Sequence, residues 1–448
     1  MCSCSGIAGV NDYTNLSGKG LVIDMEIYEQ HDPQPSRDRG QFIIGLILGV
    51  TVTLLVVCVG YLGLKIQQKA EQRQQESQQV SQQVSAEGAA EDGSLSEETV
   101  EKIELLEQMI EKFYYKDDVS REDLENGIYR GLLDAVGDPY TNYYSAEEFR
   151  DFMEQTSGTY YGIGAYVAVD KELNYPKVSS PIPGTPAEEA GLRKDDIIYE
   201  IDGVSTFDMD LSEAVKRIKG DEGTKVHLTI IRNGEHLDVE VERRKVEVPT
   251  VSHEMLEDDI AYIQITEFED LTPSQFSEAM QSVRDSGMKG LIIDLRGNPG
   301  GSVVAVVEIA RMLLPEGIVV YTEDKYGNRE DYSCDGENEF ELPLVVLVDG
   351  NSASASELLA GAIQDYHKGT LVGTTTFGKG IVQQVLTLRD GSAIKITVSS
   401  YYTPAGRNIH GIGIDPDVVC EFDAEAYYDQ DFDNQLEKAK EVLRGLME

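Results

Sequence analysis

The chain has 448 residues, 41% of them hydrophobic and 27% charged, with a formal net charge of -43. Its length allows roughly three domains of ordinary size, and its apolar content suffices for packed cores, which excludes an intrinsically disordered chain. So large an acidic excess also excludes a nucleic-acid binder, which needs clustered Lys and Arg against phosphate.

Five cysteines (Cys2, Cys4, Cys58, Cys334 and Cys420) lack zinc-ligand spacing and are too few for a disulfide scaffold; Cys334 and Cys420 could pair, but free thiols are the expectation. After an N-terminal tail over 1–41 comes Phe42 to Leu64, "FIIGLILGVTVTLLVVCVGYLGL", without a charge. A run of that length spans a hydrocarbon core of ~30 Å and begins too far from the start for a cleaved signal peptide, so a retained transmembrane helix over 42–64 is predicted. Arg37 and Arg39 precede it while Lys65, Lys69 and Arg73 follow, and charge alone does not orient it. A polar, Gln-rich linker over 65–96 then holds the rest away from the membrane. From Glu97, residues Val100, Ile103, Leu105, Leu106, Met109, Ile110 and Phe113 repeat near a 3.6 period, and a second helical stretch contains "IYRGLLDAVGDPYTNYY". The segment 97–157 therefore reads as helical, its apolar faces serving internal packing or a homodimer contact.

Next, "GTYYGIGAYVAV" (Gly158 to Val169) is a glycine-punctuated strand, and "GTPAEEAGLRKDDIIYEIDG" (Gly184 to Gly203) spells out a short helix. Thr185 is its expected N-cap, Pro186 takes the first turn, Glu188 completes a capping box and Gly191 suits the C-cap. The two stretches together resemble a PDZ domain, covering 158–246. That resemblance implies recognition of chain ends: a peptide adds to a sheet edge and the amides near Gly162, Ile163 and Gly164 receive its carboxylate. The helix from Asp210 to Gly220 forms the other groove wall, where Leu211 and Val215 serve either the pocket or the domain core.

The last two hundred residues alternate buried strands with helices, as in an α/β layered core. Two strand ends could carry chemistry. "RGNPGGSV" offers the amides of Gly300 and Gly301, as a tight turn or as an oxyanion site; Pro299 stands where the similar GNSGG motif of chymotrypsin-like proteases has its serine. "DGNSASASELLAGA" places Ser352, Ser354 and Ser356 at alternate positions, and Ser354 with Glu357 forms a capping box. A serine nucleophile needs a base. His31 precedes the apolar run, His227 and His236 lie in the PDZ-like module, and His253, His367 and His410 sit in no recognisable motif. The other choice is a lysine held neutral, its pKa brought from about 10.4 toward 7 at a cost of roughly 4 to 5 kcal/mol. "GTTTFGKGIVQQ" puts Lys379 between glycines, with Phe377, Ile381 and Val382 around it.

"NSASASELLAGA" followed by "FGKGIVQ", with "DLRGNPGG" upstream and "YYTPAGRNIHGIGIDPD" downstream, resembles the carboxy-terminal processing protease family of serine proteases. The resemblance covers nearly everything after the linker. It implies an α/β multidomain fold, with a ClpP/crotonase-like protease core over 247–420 and a C-terminal helical segment over 421–448. By position, Ser354 is the implied nucleophile, Lys379 its general base and Gln383 the residue that orients the lysine. Ala355, with Gly300 or Gly301, would form the oxyanion hole. The chemistry implied is cofactor-free, metal-free and ATP-independent, passing through an acyl-enzyme. Substrates would be proteins or peptides with accessible C-termini, and the catalytic part would stand outside the cytoplasmic membrane. "RGNPGG" departs from relatives with a second asparagine, and the acidic surface suggests a salty or wall-associated setting. Two alternatives remain: a membrane-anchored PDZ scaffold or latent protease awaiting a partner, and a histidine-dependent serine protease.

Overall fold

The computed structural model of the protein describes residues 95–116 and 119–448, all within one compact unit that runs from Glu76 to Glu448. The apolar run Phe42–Leu64 lies outside the described residues. Among the described residues no helix is long and apolar enough to cross a membrane.

Two helices, Glu97–Phe113 and Arg121–Asp134, open on the serine caps Ser96 and Ser120, and neither has a buried residue. Helix stops before "GDPYTNYY" because Asp138 gathers the chain into a turn: its carboxylate accepts from the Tyr140 amide at 3.1 Å and the Thr141 hydroxyl at 2.6 Å. The sequence reads this stretch as helical, whereas Asn142–Tyr144 is a strand, paired antiparallel with Ala393–Lys395. Its partner lies far away in sequence, so local pattern does not announce it. The helix Ala146–Ser157, with a capping box from Ser145, leads into the next module.

That module is a sheet of strands Ala165–Asp170, Tyr175–Pro181, Ile197–Ile201, Lys225–Arg232 and Glu235–Glu242, closed by the helix Leu211–Ile218. Val178, Ile198, Ile201, Ala214, Val226, Leu228 and Ile230 form its buried core. Thr185 does not cap its helix. Its hydroxyl instead lies 2.8 Å from the Gly164 carbonyl and 2.6 Å from that of Ile182, while Glu188 accepts from the Gly184 amide at 2.8 Å. Tertiary anchoring of the Gly162–Gly164 loop outcompetes the local cap.

The larger core is a mixed sheet in which Ile260–Ile265, Gly290–Asp294, Leu344–Val348, Thr370–Gly373 and Val418–Val419 run parallel, with Val251–Met255 antiparallel at one edge. Gly290–Asp294 and Leu344–Val348 are buried at every position, as expected of central parallel strands covered on both faces. Helices Thr272–Asp285, Val303–Ala310 and Ala355–Asp365 pack on one face; Ala439 and Leu443 of the C-terminal helix Asn434–Met447 fill the other. A second sheet, built on Ala393–Tyr402, carries both the strand Ile381–Thr387 and the N-terminal strand Asn142–Tyr144.

Candidate active site

At the end of Leu344–Val348 the chain turns through Asp349 into the helix Ala355–Asp365, with Ser354 at the junction. Ser354 has φ 54° and ψ -114°, a conformation that non-glycine residues avoid and that costs roughly 1 to 3 kcal/mol. Such strain aims a side chain off a strand-to-helix elbow. The flanking serines hold the elbow in place. Ser352 Oγ donates to the Leu295 carbonyl at 2.8 Å and Ser356 Oγ to the Asn298 carbonyl at 3.0 Å, stitching the serine loop to the 295–300 turn.

That turn presses Gly300 and Gly301 against the elbow, at φ 103° and 136°. A Cβ on Gly300 would lie 2.8 Å from Ser354 Cβ and 2.9 Å from the Ala355 nitrogen, so only glycine brings the backbone this close. The Gly300 amide donates to Asn298 Oδ1 at 2.8 Å. Among the described residues the amides of Ala355 and Gly301 have no such acceptor, which leaves them available to a developing oxyanion. Asn298 is fully buried, with its Nδ2 on the Ile265 carbonyl at 2.8 Å. Sequence reasoning passed over this residue, whose signal is a polar side chain inside a glycine-rich turn.

Glu357 joins the serine to the lysine. Fully buried, it accepts from the Ser354 amide at 2.8 Å and the Lys379 amide at 2.8 Å through Oε2. Its Oε1 accepts from the Gly378 amide at 2.7 Å and Thr376 Oγ1 at 2.6 Å. The capping glutamate read from the sequence therefore also clamps the lysine loop. Four donors compensate a buried carboxylate in the way such groups require.

Lys379 is half-buried. Burial pulls its pKa below the ordinary lysine value and the like charge of Lys395 adds to this, while Asp138 and Glu357 pull the other way. Its Nζ sits 4.7 Å from the centre of the Tyr140 ring. Tyr401, 3% exposed, places its hydroxyl in hydrogen-bonding reach of Ser354. The Gln383 side-chain amide turns to Thr397 Oγ1 at 3.2 Å and to the Ile381 carbonyl at 3.4 Å. Among the described residues no hydrogen bond joins Lys379 to Ser354 or Gln383 to Lys379. The structure thus brings the backbone amides of Ser354 and Lys379 to one carboxylate oxygen. Among the described residues no histidine hydrogen-bonds Ser354 or Lys379: His253 bonds Ser282 at 2.9 Å, and His410 faces Asp138.

In the smaller module, Ile163 is buried, and its carbonyl accepts from the Ala187 amide at 2.7 Å. Leu211 and Val215 are half-buried, whereas Ala214 and Ile218 of the same helix belong to the core. A cavity of about 870 Å³ separates this helix from the helix Ala146–Ser157 and is lined by Tyr161, Val215, Lys216 and Lys219 among others. Lys219 pairs with Glu154 at 2.9 Å and Lys216 with Glu147 across it.

The strained serine at the strand-to-helix elbow, the two amides beside it and the half-buried lysine whose backbone shares its carboxylate partner therefore lie together at one end of the α/β core. Residues 259–420 match the profile of peptidase family S41, residues 177–232 that of a PDZ domain, and residues 54–148 that of the activating protease CtpB N-terminal domain. A carboxyl-terminal-processing protease of Synechocystis sp. is 37% identical over 69% of this chain and 74% of its own length. The carboxy-terminal processing protease CtpA of Bacillus subtilis is 36% identical over 76% of this chain and 75% of its own. The chain belongs to the carboxyl-terminal processing protease family, S41, and is a serine peptidase carrying a PDZ domain.

Proposed function

We propose that this peptidase is membrane-anchored, acts outside the cytoplasmic membrane, captures substrate C-termini through its PDZ domain and cleaves with Ser354 and Lys379. The observation that carries the proposal is the Glu357 clamp, which ties the backbone of a strained serine to that of a lysine whose pKa burial has lowered. In the productive state the neutral Lys379 amine takes the proton of Ser354 Oγ as that oxygen attacks the scissile carbonyl. The amides of Ala355 and Gly301 receive the oxyanion; Gly300 could join them only by releasing Asn298. Lys379 then returns the proton to the leaving amine, and water activated by the same lysine hydrolyses the acyl-enzyme. Reaching that state requires Lys379 to leave the Tyr140 ring and Gln383 to turn toward it.

Tail recognition is supported by Val215, half-buried and lining the cavity beside its helix, by the half-buried Leu211 at the start of that helix, and by the Gly162–Gly164 loop pinned through Thr185. Membrane anchoring rests on the uncharged run Phe42–Leu64. A homodimer is supported by Leu105, Leu106, Met109 and Phe113, which stay exposed on a helix that buries nothing. The test compares cleavage of one unfolded protein with an apolar C-terminus in its free-carboxylate and amidated forms. The free form should be cut at least tenfold faster, and Val215→Asp should erase that preference without silencing the site. Equal rates for both forms would remove tail recognition from the proposal.

A further inference from the structure

Lys379 and Lys395 both meet aromatic rings supplied by the N-terminal segment. Lys379 Nζ lies 4.7 Å from the Tyr140 ring centre; Lys395 Nζ lies 5.5 Å from that of Tyr144 and 5.4 Å from that of Phe152. Tyr144 and Phe152 themselves stack with centroids 5.1 Å apart. Tyr140 lies in the Asp138 turn and Tyr144 and Phe152 on the strand and helix that follow it, all outside the residues matched by the peptidase profile.

Tyr140 is fixed by more than its own contact. The Asp138 carboxylate holds the Tyr140 amide at 3.1 Å, Thr141 Oγ1 accepts from the Thr397 amide at 3.2 Å, and Asn142–Tyr144 pairs with the strand that carries Lys395. The backbone at Tyr140 is therefore held by the Asp138 turn on one side and by sheet pairing two residues on. An ammonium is attracted to a ring face, whereas a neutral amine is not, so the contact favours the charged lysine.

We propose that Tyr140 is a positioning residue that parks Lys379 as an ammonium, away from Ser354, so that the N-terminal segment governs when the lysine becomes a base. The inference rests on the assignment of Ser354 and Lys379 made above. To become active, Lys379 leaves the ring, gives one proton to solvent water and presents its lone pair to Ser354 Oγ; no other bond changes. The groups facing Lys379 are Tyr140 and Asp138 from the N-terminal segment, Glu357 from the serine helix and Lys395 from the adjoining sheet, with His410 behind Asp138. Asp138 and Glu357 favour the same charged state as the ring, and Lys395 opposes it.

The experiment measures kcat/KM against pH for the full chain with an unfolded protein substrate, following the acid limb set by deprotonation of the lysine. Removing the ring in Tyr140→Leu should move that limb to lower pH by about one unit. Tyr140→Phe keeps the ring face and should keep the parent limb. If Tyr140→Leu does not fold, Tyr140→Phe with three fluorines on the ring keeps the shape, withdraws the π density and should shift the limb in the direction expected for leucine. An unmoved limb in a folded Tyr140→Leu or in the fluorinated variant overturns the inference, as does a Tyr140→Phe limb displaced as far as that of Tyr140→Leu. Lys379→Ala run alongside separates the two levels: if it cleaves as fast as the parent, the Ser354–Lys379 assignment fails and takes this inference with it. If it is inactive while Tyr140→Leu leaves the limb in place, only the role of Tyr140 falls.

Discussion

Glu357 shows how one side chain can serve stability and chemistry together. Its carboxylate offers two oxygens to four donors; an amide in its place turns an NH₂ group toward one donor pair. Glu357→Gln is therefore expected to destabilise the fold by about 2 to 4 kcal/mol, since a buried polar group left facing its like costs its desolvation. It should lower kcat far more than it changes KM, because the lysine loop loses its tether; steady-state kinetics with thermal unfolding would check both. Glu269 presents the opposite case. It is 7% exposed, its Oε2 has no hydrogen-bond partner, and burial, with Glu267 and Asp270 nearby, pushes its pKa up to about 7. An unfolded glutamate titrates near 4.3, so below that pH the group is neutral in both states and costs nothing. Between that value and about 7 the unfolded state ionises while the folded one keeps its proton, so stability falls across this window, by on the order of 3 kcal/mol once both states are charged. Glu269→Gln should raise the melting temperature by several degrees at pH 8 and by little at pH 5; an equal gain at both would show that the carboxylate is not buried as a charge. The sequence displays Ser354 and Lys379 as motif residues, and Glu357 only as a cap. Its other partners, Thr376, Gly378 and Lys379, arrive from a separate loop that only the fold brings near.

Among the elements, the 295–301 turn is the most constrained. The Phe268 amide donates to the Gly300 carbonyl at 2.8 Å and the Ser302 amide to the Phe268 carbonyl at 2.7 Å, and a Cβ on Gly301 would fall 2.1 Å from that same carbonyl. Gly301→Ala must therefore pull the turn off Phe268, and with it one of the two free amides. The expected result is a loss of about 10²-fold or more in kcat, the usual cost of one oxyanion donor, in a chain that still folds. Circular dichroism beside a cleavage assay would read both effects, and unchanged kcat would place the oxyanion elsewhere. Buried, branched runs such as "LVVLV" announce central strands because period and burial agree. Asn142–Tyr144 and Thr185 were not legible, since each obeys a partner distant in sequence: strand Ala393–Lys395 for the first, the Gly164 carbonyl for the second.

At the scale of the whole molecule, the N-terminal segment touches both other parts. It adds a strand beside the lysine-bearing sheet, and its helix Ala146–Ser157 reaches the PDZ helix through Glu147–Lys216 and Glu154–Lys219. Those ion pairs are substantially exposed and each is worth about 0 to 1 kcal/mol, so the contact can open at little cost. The outer helix carries its apolar residues into solvent, and Leu106→Glu combined with Met109→Glu should convert a dimer to a monomer in sedimentation velocity without changing the fold. A monomeric parent would show that the face serves another purpose. The direct measurement of the central claim is cleavage of an unfolded protein with an apolar C-terminus by the full chain, beside Ser354→Ala and Lys379→Ala. The account predicts that the parent cleaves and that both variants, folded to the same melting temperature, lose at least 10³-fold in rate. A Lys379→Ala chain that cuts as fast as the parent would contradict it.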